Sequence, residues 1–462
     1  LVVLGFPDDV AAAAAVPELL PLDPLTLEGI TAGLFTPAER VRLDGLLPEG
    51  EAWLLAEADG AAPAEAADHA ARLAAGHRAA LVLDDPEAQA RLWRLRKEGS
   101  GRATRLPDGS PGWPGLEDAA VPPGRLAAYL EAFHTLMADH GFHGTTYGHF
   151  GEGCLHVRIG FDLTNGEGVQ RYAAFMDEAA ALIVEHGGSL SGEHGDGRAR
   201  GALLPAMYSP EMMAAFAEFR AIWDPAGVLN PGVLVDPAPI TESLRPAEAS
   251  RIDLDPFRRF GADGDLRHAV ERCVGVGACV SRTTDALMCP SYQATGRERD
   301  STRGRARTLQ EMIAGGLSDS GWRSQEVREA LDLCLACKGC VDDCPTSVDV
   351  AAYKSEFLAH HYRGRIRPRI HYSLGRLPTW LRLGSRAPGL VNLLLRRAPR
   401  LVGLVGGVST DRPCPPHARW PCTRSHPEPP PDGEPIVLWR ESGRGLRCGG
   451  GLGGGRRGGV DA

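Results

Sequence analysis

Seven of the eleven cysteines fall between positions 273 and 344, and four read C-x2-C-x2-C-x3-C-P through Cys334, Cys337, Cys340 and Cys344. Thiolates at this spacing suit iron–sulfur clusters. Three of them, two residues apart, wrap one face of a cubane, and the fourth, followed by a proline, serves a different cluster. Zinc also takes C-x2-C pairs, but a zinc ribbon sets two such pairs well apart, so a structural zinc site stands as the alternative. Upstream lie Cys273, Cys279 and Cys289, the last followed by Pro290. By ferredoxin logic Cys289 completes the cluster of Cys334, Cys337 and Cys340, leaving Cys273, Cys279 and Cys344 for a second. Position 276, where a full second run needs cysteine, is Val276. One 4Fe–4S cluster is therefore expected; a second is absent, three-iron or completed by a non-cysteine ligand.

The other chemistry-bearing stretches come earlier. The run Y-G-H-F-G-E-G-C-L-H at 147–156 sets His149 and His156 seven residues apart around a glycine turn. On two neighbouring strands joined at that turn, both imidazoles can converge on one point. The run S-G-E-H-G at 191–195 adds Glu193 and His194. Two histidines and a carboxylate make an open site for Zn, or for Fe or Mn, with coordination positions left for a substrate. Each piece alone has a bland reading: a satisfied core histidine, or glycines that only shape turns. Glu152 is a candidate to orient one imidazole, and Cys154 reads as a buried core residue.

Together with W-D-P-A-G-V-L-N-P-G at 223–232, these motifs resemble the C-terminal cap domain of FAD-linked oxidases. The branch is that of the D-2-hydroxyacid dehydrogenases acting on D-lactate, glycolate or D-2-hydroxyglutarate, and the resemblance covers 1–237. It implies that His149, His156 and Glu193 hold a divalent metal and that His194 takes the substrate hydroxyl proton. It implies further that Arg96 pairs with a substrate carboxylate, that Asn230 lies against the flavin, and that hydride leaves a 2-hydroxy acid for FAD. The cysteine runs and S-T-R-G-R-A-R at 301–307 resemble the ferredoxin-like module fused to some of these flavoenzymes. That module implies electron flow to an external acceptor: a quinone, a cytochrome or an electron-transfer flavoprotein. The glycine-rich loops here follow helices or carry His and Glu, so none is expected to cradle a flavin phosphate. The chain is accordingly expected to be an incomplete part of such an enzyme, inactive alone unless another subunit supplies the flavin domain. The competing reading is a non-catalytic iron–sulfur electron-transfer subunit.

Positioning these residues requires a layered frame. Stretches 1–6, 52–58, 79–83, 147–150 and 155–161 read as strands, and 8–20, 61–75, 86–97, 125–140, 167–185 and 210–222 as helices, with a Gly/Pro-rich loop at 99–123. The alternation predicts an α+β fold: a ferredoxin-like α/β sandwich cap over 1–237, its helices on a mostly antiparallel sheet. A proline-rich linker (238–261) leads to a mainly α-helical ferredoxin-type iron–sulfur domain (262–362). A basic Leu/Arg-rich segment (363–408) and a low-complexity, poorly ordered tail (409–462) follow. Arg297, Arg299, Arg303, Arg305 and Arg307 read as a basic helix face, either solvated or docking an acidic acceptor. Positions 363–400 hold ten arginines and no acid, which suggests peripheral contact with an anionic membrane surface, or packing against the protein itself. A net charge of −9 argues against nucleic acid as a partner. Clustered, metal-type cysteines and the lack of a run of about eighteen apolar residues point to a reducing, cytoplasmic location.

Overall fold

The computed structural model describes residues 1–409, apart from 36–39, 42, 44, 164, 245–256, 282–287 and 316–319. The expected disorder of the tail concerns residues that, from 410 on, lie outside the described ones, as does the middle of the expected linker. The described residues fall into two compact units, Leu1–His361 and Tyr362 onward. The cap and the cysteine module share the first.

The cap begins with β1 (Val2–Phe6), α1 (Asp9–Leu19), β2 (Leu27–Thr31), β3 (Ala52–Ala56), α2 (Pro63–Ala74) and β4 (Ala80–Val82). Its strands lie in the order β4-β1-β3-β2, all antiparallel, which is the expected ferredoxin-like arrangement. After α3 (Pro86–Lys97) come two short strands, β5 (Trp113–Pro114) and β6 (Ala119–Ala120), then α4 (Leu126–Asp139), β7 (Gly144–His149), β8 (Cys154–Ile159), α5 (Gly166–Glu185) and α6 (Pro210–Trp223). β7 pairs with β2, and β8 with β7, β5 and β6, so one sheet runs through the whole cap.

Strand alternation sorts the core into two layers. Val2, Leu4, Leu54, Leu155 and Val157 join Ala12, Val16, Phe133 and Phe175 of α1, α4 and α5 on one face. Val3, Ile30, Trp53, Leu55 and Tyr147 pack with Leu92 and Leu95 of α3 on the other. Asp8 caps α1 by accepting from the Ala11 N–H at 2.7 Å. Asp85 caps α3, with Pro86 in its first turn; this helix delivers Arg96. β2 was not expected. Its residues Leu27–Ile30 are all buried, so the stretch L-E-G-I-T lacks the polar–apolar alternation that marks a half-exposed strand. β5 and β6 likewise sit inside the expected 99–123 loop.

The cysteine module comprises α7 (Leu266–Glu271), α8 (Pro290–Thr295), α9 (Thr302–Ala314), α10 (Gln325–Asp332), α11 (Gly339–Asp343) and α12 (Val350–His361). Leu266, Val270, Leu309, Met312, Leu331, Tyr353 and Phe357 form its core. It meets the cap where Arg105 donates to the His268 carbonyl at 2.5 Å and faces Asp263 at 3.8 Å. The second unit holds α13 (Arg369–Ser373), α14 (Leu377–Gly384), α15 (Pro388–Arg397) and α16 (Pro399–Gly406). Among the described residues no helix is long and apolar enough to cross a membrane.

Candidate functional site

β7 and β8 pair with Tyr147 opposite His156 and His149 opposite Cys154. Gly153 makes the turn between them with φ 71°, where a Cβ would also collide with the Val121 carbonyl. The two imidazoles thus stand 5.4 Å apart, centroid to centroid. Glu193 comes from the loop after α5, and its Oε1 lies 3.1 Å from His149 Nε2, 3.6 Å from His156 Nε2 and 3.3 Å from His194 Nε2. The sequence motifs therefore meet at one carboxylate oxygen. His194 is half exposed and stacks on His156 with centroids 5.2 Å apart and planes at 8°.

Two residues that carried no sequence signal organise this group. Glu28, on β2, is buried; its Oε1 lies 2.7 Å from His149 Nδ1, and its Oε2 accepts from Arg96 Nε at 2.7 Å. Glu152, expected to orient an imidazole, is instead exposed on the turn. Burial pushes the Glu28 carboxyl up, but its bonds to His149 and the charge of Arg96 outweigh that and hold it low. The Glu28 contact raises His149 against its own burial. Asp118 is fully buried at φ 103° and gathers the 191–194 loop. It accepts from Ser191 Oγ at 2.7 Å, from the His194 N–H at 2.8 Å and from the Glu193 N–H at 3.1 Å. Cys154, buried as expected, donates to it from Sγ at 3.3 Å. Neither acid belongs to a local motif: Glu28 is 121 residues from His149, and Asp118 is 76 from His194.

The donors fit a divalent ion. His149, His156 and Glu193 each present a ligand atom within 4.8 Å of the others. Burial, followed by the charges of Arg96 and His149, lowers His156 to about 4. It is therefore the neutral imidazole a metal needs. Its Nδ1 is buried without a hydrogen-bond partner among the described residues. Glu28 on His149 Nδ1 turns Nε2 toward Glu193, where it can serve as a ligand atom, the usual carboxylate–histidine pairing. Arg96 is brought to the site but is held by Glu28, with Nη2 3.4 Å from His149 Nδ1 and the guanidinium over the Tyr147 ring at 5.5 Å. Asn230 lies in the exposed stretch after α6 at φ 44°, and no hydrogen bond joins it to the imidazoles among the described residues.

In the cysteine module, Cys289, Cys334, Cys337 and Cys340 line one small cavity with Ser291, Thr302 and Arg305. This is the grouping expected for the first cluster. Burial raises Cys289, but bonds from Ser291 and the Tyr292 N–H, with the charge of Arg305, outweigh it and favour the thiolate. Burial raises Cys340 to about 11. Arg305 corrects the expected basic face. It is 1% exposed and donates to Ala330 O at 2.9 Å, Ser291 Oγ at 2.8 Å and Cys289 Sγ at 3.3 Å. Burial raises Cys273 to about 11, and the neighbouring Cys279 and Cys344 thiols add to the rise. Val276 occupies the position of the missing cysteine, near Gly101 of the cap.

Residues 1–234 match the family described as FAD linked oxidases, C-terminal domain. The chain belongs to this family. Residues 269–348 of this FAD linked oxidase chain match the 4Fe-4S dicluster domain, so the resemblance read from the motifs holds in both halves. D-2-hydroxyglutarate dehydrogenase of Pseudomonas putida is 31% identical over 347 residues, covering 68% of this chain and 34% of that protein. The corresponding enzyme of Pantoea ananatis is 29% identical over 358 residues, with the same two shares. D-lactate dehydrogenase of Anaerostipes hadrus is 32% identical over 164 residues, 35% of this chain and 33% of that protein. The chain spans about a third of the length of these relatives. FAD and 4Fe–4S are the cofactors that the two family matches support.

Proposed function

We propose that the chain carries the substrate side of a flavin-dependent oxidation of a D-2-hydroxy acid to its 2-oxo acid, with electrons leaving through the 4Fe–4S module. The observation that carries this reading is Glu193 Oε1 set within 3.1–3.6 Å of three imidazoles. A divalent ion (Zn, or Fe or Mn) supplies Lewis acidity toward the substrate hydroxyl and carboxylate, and FAD supplies the hydride acceptor. His149, His156 and Glu193 hold the ion. His194, fixed through its backbone N–H to Asp118, takes the hydroxyl proton at an imidazole nitrogen. Arg96 turns its remaining guanidinium edge to the substrate carboxylate, because Glu28 occupies only Nε. Asn230 would lie against the flavin. The exposed apolar residues around it, Phe219, Ile222, Trp223, Val228 and Leu229, make a surface suited to a flavin-bearing domain.

The names of the relatives favour D-2-hydroxyglutarate, D-lactate or glycolate as substrate class; a quinone, a cytochrome or an electron-transfer flavoprotein is the proposed acceptor. Combined with the flavin domain of a matched dehydrogenase, the protein is expected to bleach flavin on addition of one of these acids, and His194→Ala to abolish bleaching. Flavin that stays oxidised with all three, beside a cluster that still accepts electrons from dithionite, would favour the electron-relay reading. For location, the reading is a cytoplasmic protein whose second unit makes peripheral contact with an anionic membrane surface. That unit exposes Leu390, Leu393, Leu394, Leu401 and Leu404 among its arginines. Sedimentation with phosphatidylglycerol vesicles and not with phosphatidylcholine vesicles is the expected result; equal sedimentation with neither would remove this contact.

A further inference from the structure

Two cations stand beside the first cysteine group, and neither has a carboxylate partner among the described residues. Arg305, on α9, is buried; it donates from Nε to Ala330 O at 2.9 Å, from Nη2 to Ser291 Oγ at 2.8 Å and from Nη1 to Cys289 Sγ at 3.3 Å. Lys354, on α12, is half-buried and donates from Nζ to Cys334 O at 2.7 Å and to Asp332 O at 3.1 Å. The Asp300 carboxylate, close by, is turned to Arg297 at 2.7 Å instead. Arg303 shows the ordinary arrangement. Its side chain closes on Glu298 at 2.5 and 3.0 Å, and only its backbone N–H reaches a cysteine, Cys279 Sγ at 3.3 Å.

A buried guanidinium without a counter-charge is unfavourable, because the hydration it loses is not replaced. Helix capping accounts for part of the arrangement. Ala330 O, Asp332 O and Cys334 O lie at the C-terminal end of α10, where cations satisfy carbonyls that have no partner within the helix. Capping does not require a guanidinium N–H on Cys289 Sγ. Arg305 lines the same small cavity as Cys289, Cys334, Cys337 and Cys340. Four thiolates around an iron–sulfur core leave that cavity net negative, which supplies the counter-charge that no carboxylate provides.

We propose that Arg305 and Lys354 are the built-in counter-charge of the first cluster and raise its reduction potential, Arg305 by its charge and its hydrogen bond to Cys289 Sγ, Lys354 by its charge. Reduction adds one electron and no proton to the thiolate-ligated core, so the site gains one negative charge. Fixed cations and an N–H···S bond stabilise that reduced form more than the oxidised one. The two residues thereby set how readily the module accepts an electron. This rests on the cluster reading of the four cysteines and stands apart from the hydroxy-acid site.

The experiment is a dithionite titration of the anaerobically purified full chain, with the reduced 4Fe–4S signal followed by electron paramagnetic resonance and iron and sulfide measured on each preparation. In Arg305→Met the equilibrium constant for reduction is expected to fall roughly tenfold or more, a midpoint lower by about 59 mV or more for one electron. In Lys354→Met it is expected to fall about threefold or more. Arg307→Met removes the same charge from the exposed face of α9, where Arg307 pairs with Glu311, and is expected to leave the midpoint unchanged. Unmoved midpoints in Arg305→Met and Lys354→Met at full iron content would overturn the proposal while leaving the cluster in place, and so would an equal fall in Arg307→Met. A chain that holds no iron would remove the cluster reading itself and the proposal with it. Lys354 is only half-buried, so Lys354→Met decides the matter if Arg305→Met fails to fold or to hold iron.

Discussion

At Glu28 one buried carboxylate divides itself between two cations, Oε1 to His149 and Oε2 to Arg96. Glu28→Ala leaves Arg96 buried beside no counter-charge and frees the His149 ring to turn. The expected loss is about 3–5 kcal/mol of stability, read by urea denaturation, and about 10–100-fold in metal affinity. An unchanged midpoint would show that Arg96 finds another partner. Asp118 is the second such residue. Replacing it with Ala removes the acceptor for Ser191 Oγ and for two backbone N–H groups. About 3 kcal/mol is the expected cost, whereas Asn, which tolerates the positive φ, is expected to cost less. The histidines, Glu193 and the cysteines were legible because each sits in a local motif whose spacing carries the chemistry. Glu28, Asp118 and Arg305 were not, because their partners are brought together only by folding.

Among the elements, β2 matters most. The register Gly29↔Gly148 sets Glu28 beside His149. Gly29 has no side chain because the Phe150 ring fills that space. Gly29→Val is expected to cost about 1–3 kcal/mol by overpacking and to weaken metal binding with it, measured by thermal unfolding and metal titration on one preparation. A separate tie joins α1 to α4 and β7: buried Asp9 lies 3.3 Å from His134 Nε2 and accepts from Thr146 Oγ1 at 2.5 Å. Burial raises Asp9, but the His134 bond and the contacts that follow hold it below its usual value. That same bond raises His134. The aspartate contribution is lost as pH falls through the lowered Asp9 value, and the histidine contribution as pH rises through the raised His134 value. The tie is therefore strongest between about pH 4 and 6.5. His134→Gln is expected to lower stability by up to about 1 kcal/mol near pH 5.5 and by almost nothing near pH 9; an equal loss at both would contradict the charge assignment. Capped helices and unbroken apolar strand runs were legible, α1, α3 and β1 among them. β2 was hidden because Glu28 and Gly29 interrupt its apolar run, and the two-residue strands β5 and β6 by their shortness.

For the whole molecule, the proposed function would divide the work between a cap site that prepares a hydroxy acid and a cysteine module that conducts electrons away. The second cysteine group bears on how far they travel. With Val276 in place of a fourth ligand, iron and sulfide analysis of anaerobically purified protein is expected to give one secure 4Fe–4S cluster per chain, with any second cluster incomplete. Iron close to eight per chain would mean that a non-cysteine ligand completes the second. The order of cap and cysteine module could be read from composition and motifs, whereas their packing into one unit rests on contacts such as Arg105 with His268 and Asp263. Whether the chain works as half of an enzyme or only as a relay is tested most directly by Mn²⁺ binding, followed by electron paramagnetic resonance. Mn²⁺ prefers oxygen and imidazole over thiolates, so the cysteine module does not compete for it. One Mn²⁺ per chain is expected, with affinity reduced at least tenfold in Glu193→Gln and a spectrum altered by D-2-hydroxyglutarate or D-lactate. No stoichiometric binding, or equal binding in Glu193→Gln, would contradict the assignment of the imidazole–carboxylate site.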